Sequence, residues 1–580
     1  MAGFTALFSK NIIPGHISFR KKDTFRHEQD FLIEHITGDN YLIERSTNRK
    51  FPLDKVFEQD DDCIIVQEGV LLNLEHLKTK YQQKDAFQLI KSLYQLKGGD
   101  FVSELRGDFS GFIYNKADKS CYVFTNHTGS KRIFHYHNDT YFIISSDLGE
   151  ISHLLGQLGA QKKLNIEASY LLLTCGFMLE DHTLVEEVKR LMPGNYLTFH
   201  NNNLEITNYF HLKNIAKTTD TKEQIIEKMD QLFADAVKLE FEKDIAYGYK
   251  HMATLSGGLD SRMTVLMAHK LGYIQQLNFT FSQANYLDEK IAKSIAVDFH
   301  HDFVFQSLDY GNYLKEVEKS VYLNDGLILY SGSAHVLHAI QLLNFNEYGL
   351  IHTGIIGDAV IGSFLSKPYG VRPTVTGGMY STFLASEIKD FISQIIDRYP
   401  YEELYKFYSR GFLGAMNGNY TLDLVSQGSS PFLDVDFLTY CVSIPEDLKF
   451  KQKIYLEWIA SKHPEFARYP WEKTGVSPLK STNFRKYLDI KYYQRMSLKF
   501  FDKLSGKMKS GMNPFDHWMS ENASLKNYIE TYFSDHIHLL NQYDSLQKNC
   551  TKLFNRGNSG EKFQVITLLA AIKLHFKDDN

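Results

Sequence analysis

The sequence predicts an α/β protein with two successive regions of different character. The first part of the chain alternates short β-like runs with turn signals. From about residue 216 onward, strands instead alternate with amphipathic helices, which is the pattern of a parallel α/β sheet. A chain of 580 residues is also too long for one hydrophobic core. We therefore expect one domain over residues 1–215 and a second over residues 216–580.

In the first region, four runs are predicted to form strands. They are rich in β-branched and aromatic residues and cover residues 63–66, 111–114, 121–124 and 141–144. Turn-forming residues separate them, as expected for strands joined by short connections. A β-rich domain follows from this pattern.

The second region opens with a helix signal. Thr221 and Gln224 have the spacing of a capping box, in which the two side chains satisfy each other's backbone N–H groups. Apolar residues then recur at helical spacing, namely Ile225, Met229, Leu232, Phe233, Ala236 and Val237. The pattern predicts a helix that packs one face on the core.

The most informative segment is the turn Ser-Gly-Gly-Leu-Asp-Ser at residues 256–261. Residues 252–255 read as a short buried strand before it, and residues 262–271 read as a helix that ends at Gly272. Adjacent glycines let the backbone approach an anion, and a helix start directs N–H groups to the same point. We therefore predict a phosphate site formed by Leu255, Ser256, Gly257, Gly258, Leu259, Asp260 and Ser261.

Two further strand ends extend this prediction. Residues 277–282 form a predicted strand beside the first, and residues 352–362 form another strand end with a glycine-rich turn. In a parallel sheet their carboxyl ends meet at one edge, where an adenosine and a magnesium ion could be held beside the phosphates. The candidates are Phe281, Ser282 and Gly357 for the nucleotide, and Asp260 and Asp358 for Mg²⁺.

Composition and charge exclude several classes of protein. The net charge of −5 gives no basic field that would indicate a nucleic-acid partner. The five cysteines are far apart and form no CxxC pair, which indicates a reducing compartment. The amino terminus lacks a signal-peptide pattern, and the apolar runs are too short to span a bilayer. We expect a cytoplasmic protein without a nucleic-acid or membrane partner.

These motifs, in this order, resemble the asparagine synthetase family over nearly the whole chain. Residues 256–261 match its pyrophosphate loop, and residues 431–434 are identical to its Pro-Phe-Leu-Asp signature. Residues 288–289 resemble its Asp-Glu pair, and residues 472–475 resemble its lysine-glycine element. In the first region, residues 105–112 are similar to part of the family's glutamine amidotransferase domain.

The resemblance implies both a fold and a chemistry. Residues 1–215 would form an Ntn-hydrolase-like αββα sandwich, and residues 216–580 a PP-loop ATP pyrophosphatase domain with a parallel sheet and a helical C-terminal region. The family cleaves ATP between its α and β phosphates with Mg²⁺ and adenylates a carboxylate, which an amine then attacks. By this resemblance, Lys473 would offset the tetrahedral oxyanion and Lys449 would help to hold pyrophosphate.

The first region departs from the family pattern at two places. The family begins Met-Cys-Gly and uses that cysteine to attack glutamine, whereas this sequence has Ala2 there. A methyl group cannot attack an amide. The family's Asn-Gly-Glu segment appears as residues 68–70, Glu-Gly-Val, and a carboxylate at this point would repel an oxyanion. We predict a domain without glutaminase activity, as in relatives that lack the cysteine, such as β-lactam synthetases and lasso peptide cyclases.

A third departure lies in the second region. Ile355 stands where asparagine synthetases carry glutamate and the β-lactam-forming relatives carry tyrosine, and isoleucine can neither accept nor donate a proton. The sequence thus predicts a ligase that joins a small-molecule or peptide carboxylate to an amine, with ATP converted to AMP and pyrophosphate. One interpretation is a macrolactam (lasso) peptide cyclase that works with a precursor peptide and a partner protease. An amidating enzyme that uses free ammonia and a nucleotide-binding pseudoenzyme are the alternatives, and a homodimer is a further expectation.

Overall fold

The computed structural model describes residues 2–20, 31–481, 487–505 and 511–576. The first region contains two antiparallel six-stranded sheets. Their strands are β1 (Gly3–Ser9), β2 (Phe31–Gly38), β3 (Tyr41–Asn48), β4 (Val56–Gln59), β5 (Cys63–Leu71), β6 (Gly107–Asn115), β7 (Cys121–Thr125), β8 (Phe134–His137), β9 (Tyr141–Ser145), β10 (Lys189–Arg190), β11 (Asn195–His200) and β12 (Asn203–Asn208). The strand orders are β10-β8-β9-β1-β3-β2 and β12-β11-β7-β6-β5-β4.

Helices cover the outer faces of both sheets. They are α1 (Leu74–Tyr81), α2 (Ala86–Lys97), α3 (Leu148–Gln157) and α4 (Ile166–Thr174). Helices α1 and α2 share a core with the second sheet, and α3 packs on β8 and β9 of the first. Between the sheets, Phe4, Phe112 and Phe142 belong to one buried cluster. The predicted αββα sandwich is confirmed, and the four predicted strands lie within β5, β6, β7 and β9.

The second region is built on a five-stranded sheet in which all paired strands are parallel. Its order is β15-β14-β13-β16-β17, so the carboxyl ends of the strands lie along one edge. The elements up to β17 that build it are α5 (Lys222–Ala246), β13 (Lys250–Thr254), α6 (Asp260–Lys270), β14 (Gln276–Ser282), α7 (Leu287–Asp298), β15 (Asp302–Ser307), α8 (Val317–Asn324), α9 (Ser331–Ile340), β16 (Tyr348–His352) and β17 (Gly428–Ser429). The capping box of Thr221 and Gln224 is present at the start of α5.

Most of the remaining described residues lie in helices or in their connections, which confirms the predicted helical C-terminal region. They are α10 (Ala385–Ile396), α11 (Glu402–Lys406), α12 (Met416–Asn419), α13 (Val435–Ser443), α14 (Glu446–Lys449), α15 (Lys453–Lys462), α16 (Pro478–Ser481), α17 (Ile490–Ser505), α18 (Phe515–Glu521), α19 (Ala523–His536), α20 (Asp544–Arg556) and α21 (Ser559–Phe576). Within the described residues, every helix is too short or too polar to cross a membrane.

The two regions share a hydrophobic core. Strand β12 ends at Asn208 and α5 begins at Lys222, so the predicted boundary at residue 215 falls in the connection. However, α21 of the second region packs against α3 and α4 of the first. The Ser152 hydroxyl donates to the His575 carbonyl at 2.6 Å, across this contact. The sandwich is therefore joined to the second region by packing as well as by the chain.

Candidate functional site

The glycine turn lies between β13 and α6, at the carboxyl edge of the parallel sheet. Two hydrogen bonds close it: the Ser256 N–H donates to Ser261 Oγ at 3.0 Å, and the Gly258 N–H donates to Ser256 Oγ at 3.1 Å. Helix α6 begins at Asp260 rather than at the predicted residue 262. Its N-cap is Leu259, whose side chain offers no acceptor, so the first-turn N–H groups can serve an anion.

Three other residues form hydrogen bonds with the peptide groups of Gly257. Its N–H donates to Asp288 Oδ1 at 2.8 Å. Its carbonyl accepts from the Glu472 N–H at 3.1 Å and from Arg262 Nη2 at 3.3 Å. Burial raises the pKa of Asp288 to about 6, while the N–H of Gly257 favours its charged form. The backbone of the turn is therefore fixed before any ligand binds.

The two predicted metal ligands, Asp260 and Asp358, lie near each other in this structure. Tyr455 donates its hydroxyl to Asp260 Oδ1 at 2.9 Å. Burial raises the pKa of Asp260 to about 8, and the nearby charge of Asp358 adds to the rise. Two half-buried carboxylates close to each other are ligands of the kind that Mg²⁺ prefers. The metal contact itself stays a prediction.

Close backbone approach brings these carboxylates together. A Cβ added at Gly357 would lie 2.8 Å from Asp260 Cγ, and one at Gly354 would lie 2.3 Å from the Ser261 nitrogen. Only glycine lets the turn after β16 lie against the first turn of α6. Between these glycines, Ile356 has φ of 63°, an unusual conformation for a β-branched residue. Such strain is typical of functional turns that the surrounding structure holds in place.

The structure places the predicted adenosine contacts at the same edge of the sheet. Phe281 and Ser282 end β14, which pairs with β13 in parallel. Phe281 is half-buried beside His335, and the Ser282 hydroxyl donates to the Gln283 carbonyl at 2.9 Å. Their contact with a nucleotide stays a prediction.

The two predicted lysines have different surroundings. Lys473 is exposed, its ammonium lies 3.3 Å from Gln452 Oε1, and its charge opposes the rise in the pKa of Asp260. Lys449 is wholly buried and donates to Glu403 Oε1 at 2.7 Å. Glu403 compensates the charge of this ammonium. The pyrophosphate contact of Lys449 and the oxyanion contact of Lys473 stay predictions.

Sequence reasoning missed a second set of residues around the turn. Arg495 of α17 donates to the Glu472 carbonyl at 3.0 Å and to the Tyr286 hydroxyl at 2.9 Å. It also forms an ion pair with the Glu472 carboxylate. These contacts connect α17 to the segment that holds Gly257. Arg495 and Tyr455 are distant from the glycine turn along the chain, and no local motif marks either of them.

Glu68, one of the residues at which the first region departs from the family pattern, is buried and forms an ion pair. Glu68 Oε1 accepts from the Thr47 hydroxyl at 2.7 Å and lies 3.1 Å from the Lys55 ammonium. Thr47 follows Ser46, which pairs with Gly3 at the start of β1. The Glu68 carboxylate therefore lies in an ion pair near the beginning of the first strand.

Comparison with known proteins finds relatives for both regions. Residues 43–210 match the family described as a glutamine amidotransferase domain. The chain is 26% identical over 335 residues to a putative asparagine synthetase (glutamine-hydrolyzing) 2 of Methanocaldococcus jannaschii, over 55% of this chain and 63% of the relative. It is 23% identical over 275 residues to asparagine synthetase (glutamine-hydrolyzing) 1 of Bacillus subtilis, over 46% of this chain and 42% of the relative.

Among solved structures, this chain is similar to a glutamine phosphoribosylpyrophosphate amidotransferase from B. subtilis complexed with ADP and GMP. It shares 9% identity over 47% of this chain and 52% of that chain, with a TM-score of 0.21. The matches span less than two thirds of the length of the two curated relatives. The chain is therefore similar to asparagine synthetases, and its first region is similar to a glutamine amidotransferase domain.

Proposed function

We propose that this relative of the asparagine synthetases is an ATP-dependent ligase that activates a carboxylate as an acyl-adenylate and passes the acyl group to an amine. The observation that carries the proposal is the approach of Asp260 to Asp358 beside the glycine turn. Adenylation releases pyrophosphate, so the site must hold several phosphate charges at one point. The first turn of α6 offers N–H donors and the two carboxylates offer metal ligands at that point.

Each part of the site has a separate role in this proposal. The first-turn N–H groups of α6 would bind the phosphates, since a helix start favours negative charge. A Mg²⁺ ion held by Asp260 and Asp358 would neutralise charge on the departing pyrophosphate. Lys473, exposed and near Asp260, would offset the oxyanion that forms when the amine attacks.

We infer that the sandwich does not supply the amine by hydrolysing glutamine. The Glu68 carboxylate is buried in an ion pair with Lys55, where it would disfavour an oxyanion. The side chain of Ala2 is a methyl group, which supplies no nucleophile. The amine would then belong to the substrate or to a second small molecule, as in a macrolactam peptide cyclase.

A small cavity between the two regions favours a second candidate, amidation by free ammonia. Its volume is about 30 Å³, and its lining includes Ile355, Asp108, Lys131 and Asp423. This is enough space for a molecule the size of water, such as ammonia. Because Ile355 precedes the turn that carries Asp358, ammonia in this cavity would lie near the candidate site.

The test uses the purified full chain with ATP labelled at its α-phosphate, Mg²⁺ and a panel of amino-acid and peptide carboxylates. We expect labelled AMP, free pyrophosphate and a hydroxamate when hydroxylamine traps the acyl group. Stimulation by ammonium salts would favour the second candidate, and a cyclised product without them would favour the peptide cyclase. Labelled ADP with orthophosphate, or ATP binding without turnover on any carboxylate, would contradict the ligase.

A pair of variants ties this activity to the proposed site. Asp358→Asn should lower pyrophosphate release by about 100-fold or more, because one of two anionic metal ligands is lost. Asp298→Asn is the matched control, since Asp298 forms a half-exposed ion pair with Arg468. Equal activity of the two variants would place the reaction elsewhere on the chain.

A further inference from the structure

Three buried side chains meet between the parallel sheet and helix α5, which packs on it. Asp244 comes from α5, His251 from β13 and His352 from β16. Asp244 Oδ2 lies 2.9 Å from His251 Nδ1 and 2.8 Å from His352 Nε2. One ligand atom from each residue lies within 4.8 Å of the other two. Asp244 and His352 are wholly buried, and His251 is 9% exposed.

A second layer of hydrogen bonds orients this group. Glu240 Oε2 lies 3.1 Å from His352 Nδ1, on the side of the ring that faces away from Asp244. The Leu350 N–H donates to Asp244 Oδ1 at 2.7 Å, which leaves Oδ2 for the two histidines. The Ser429 hydroxyl donates to the other oxygen of Glu240 at 2.7 Å. A carboxylate that holds the far nitrogen of a histidine is the usual support of a metal-bound imidazole.

The geometry of the group suits a small tetrahedral ion. Zinc bonds to nitrogen and oxygen at about 2.0–2.2 Å, so its ligand atoms lie about 3.4 Å apart. The distances from Asp244 Oδ2 to the two ring nitrogens would need to open by only about 0.5 Å. Two imidazoles and one carboxylate are a ligand set that zinc prefers over magnesium or calcium.

The group also has a path to solvent. His251 lines an open cavity of about 880 Å³ at the amino-terminal side of the sheet, together with Tyr249, His269 and Tyr273. An ion could enter through this cavity, and a water molecule from it could complete a fourth coordination position. His251 is the second residue of β13, away from the glycine turn, whereas His352 is the last residue of β16, six positions before Asp358. None of the three residues belongs to the glycine turn or to the pair of carboxylates beside it.

We infer that Asp244, His251 and His352 form a zinc site that ties α5, β13 and β16 together. Glu240 orients His352 from the second layer and does not bind the ion. The site is independent of the proposed ligase activity, because none of these residues belongs to the glycine turn or to the pair of carboxylates beside it. A zinc ion there would fix the strand whose end leads into the turn that carries Asp358.

The same contacts could instead form a hydrogen-bonded network without metal, and a matched pair of variants separates the two. His251→Asn keeps an amide N–H that can donate to Asp244 but removes a strong zinc ligand. His301→Asn is the control, because His301 is also buried and its Nδ1 lies 2.8 Å from an amide oxygen, Asn278 Oδ1. Both variants keep Asp260 and Asp358, so zinc taken up there cancels in the comparison.

Each full-length protein is stripped with a chelator, exposed to excess zinc, dialysed and analysed for metal. We expect about one more zinc per chain in the wild type and in His301→Asn than in His251→Asn. Zinc should also raise the melting temperature of the first two proteins and not of the third. Equal zinc content in the wild type and His251→Asn would overturn the inference.

A second measurement covers the case in which His251→Asn does not fold. Cobalt(II) added to the stripped wild-type protein should give the visible absorption of a tetrahedral site, and zinc should abolish it. Glu240→Gln should retain the site with zinc affinity lowered by about 10–100-fold, as expected for a supporting residue. A wild-type protein without this absorption, or a Glu240→Gln variant with unchanged affinity, would contradict the assignment.

Discussion

Tyr455 orients one of the two candidate metal ligands. Its hydroxyl lies 2.9 Å from Asp260 Oδ1, and Tyr455 is wholly buried. Tyr455→Phe removes this donor and leaves the ring, so we expect the Mg²⁺ concentration for half-maximal pyrophosphate release to rise several-fold. A hydrogen bond to a charged group contributes about 1.5–3 kcal/mol, which limits the size of the effect. The measurement is a magnesium titration at saturating ATP.

Tyr469→Phe is the matched control for this variant. The Tyr469 hydroxyl donates to Asp298 at 2.7 Å, and Asp298 is not one of the candidate ligands. Its magnesium dependence should equal that of the wild type. If Tyr455→Phe and Tyr469→Phe behaved alike, Tyr455 would have only a structural role.

Asp260 should make the stability of the metal-free protein depend on pH. Burial and the charge of Asp358 raise its pKa to about 8 in the folded state, and an unfolded aspartate has a pKa of about 3.9. Between these values the folded state keeps a proton that the unfolded state has released. The free energy of unfolding therefore falls as the pH rises from about 4 to about 8.

Asp260→Asn tests this dependence because an amide does not ionise. With EDTA present, the melting temperature of the wild type should fall relative to that of the variant between about pH 5 and about pH 8. Thermal unfolding followed by circular dichroism at the two pH values gives both differences. A difference that does not change with pH would show that Asp260 is already ionised without metal.

At the scale of single residues, the sequence predicts those site residues that lie together in one short segment. The glycine turn, Asp260 and Gly272 lie in one short segment, so their spacing is enough to predict a strand, a turn and a helix. Tyr455 is 195 residues from Asp260 in sequence, and its contact depends on how α15 packs. Lys449 shows a further limit, since its motif position predicts a ligand contact but gives no sign of its buried ion pair with Glu403, 46 residues away.

At the scale of elements, helix starts with local signals are the most predictable. The capping box at Thr221 gives the start of α5 because both partners lie within one turn. The order of strands in the two antiparallel sheets has no such signal. Strand β1 lies between β3 and β9, and the latter pairing joins residues about 140 positions apart. Only the resemblance to a known family predicts that arrangement.

The last helix, α21, begins with a capping box formed by Asn558 and Glu561. Asn558 Oδ1 accepts from the Glu561 N–H at 3.0 Å. The Glu561 carboxylate in turn accepts from the Asn558 N–H at 2.8 Å. Asn558→Ala should therefore lower the free energy of unfolding by about 1 kcal/mol. Denaturant unfolding measures this loss, and Ser559→Ala should lower the free energy of unfolding by less. The opposite order would show that Ser559 is the cap.

At the scale of the whole molecule, buried ion pairs join the two regions. Arg132 of the sandwich and Asp325 of the second region are 2.8 Å apart, with 1% and 0% of their side chains exposed. Asp325→Asn keeps the shape of the side chain and removes its charge, which leaves the Arg132 guanidinium buried without its carboxylate. We expect a loss of about 3–5 kcal/mol in the free energy of unfolding.

An exposed pair provides the comparison for this variant. Lys250 and Glu347 form an ion pair on the surface, and Glu347→Gln should not change the unfolding midpoint measurably. Both variants are measured by denaturant unfolding, with fluorescence and circular dichroism compared. A loss in Asp325→Asn no larger than in Glu347→Gln would mean that the two regions do not depend on this pair.

The packing of α21 on α3 and α4 has a consequence for synthesis on the ribosome. The apolar faces of α3 and α4 are made early, but the helix that covers them is translated about 400 residues later. Until then, the emerging sandwich exposes surface that invites aggregation or chaperone binding. A fragment that stops after β12 should therefore aggregate in solution, even though it contains all the strands of the two sheets.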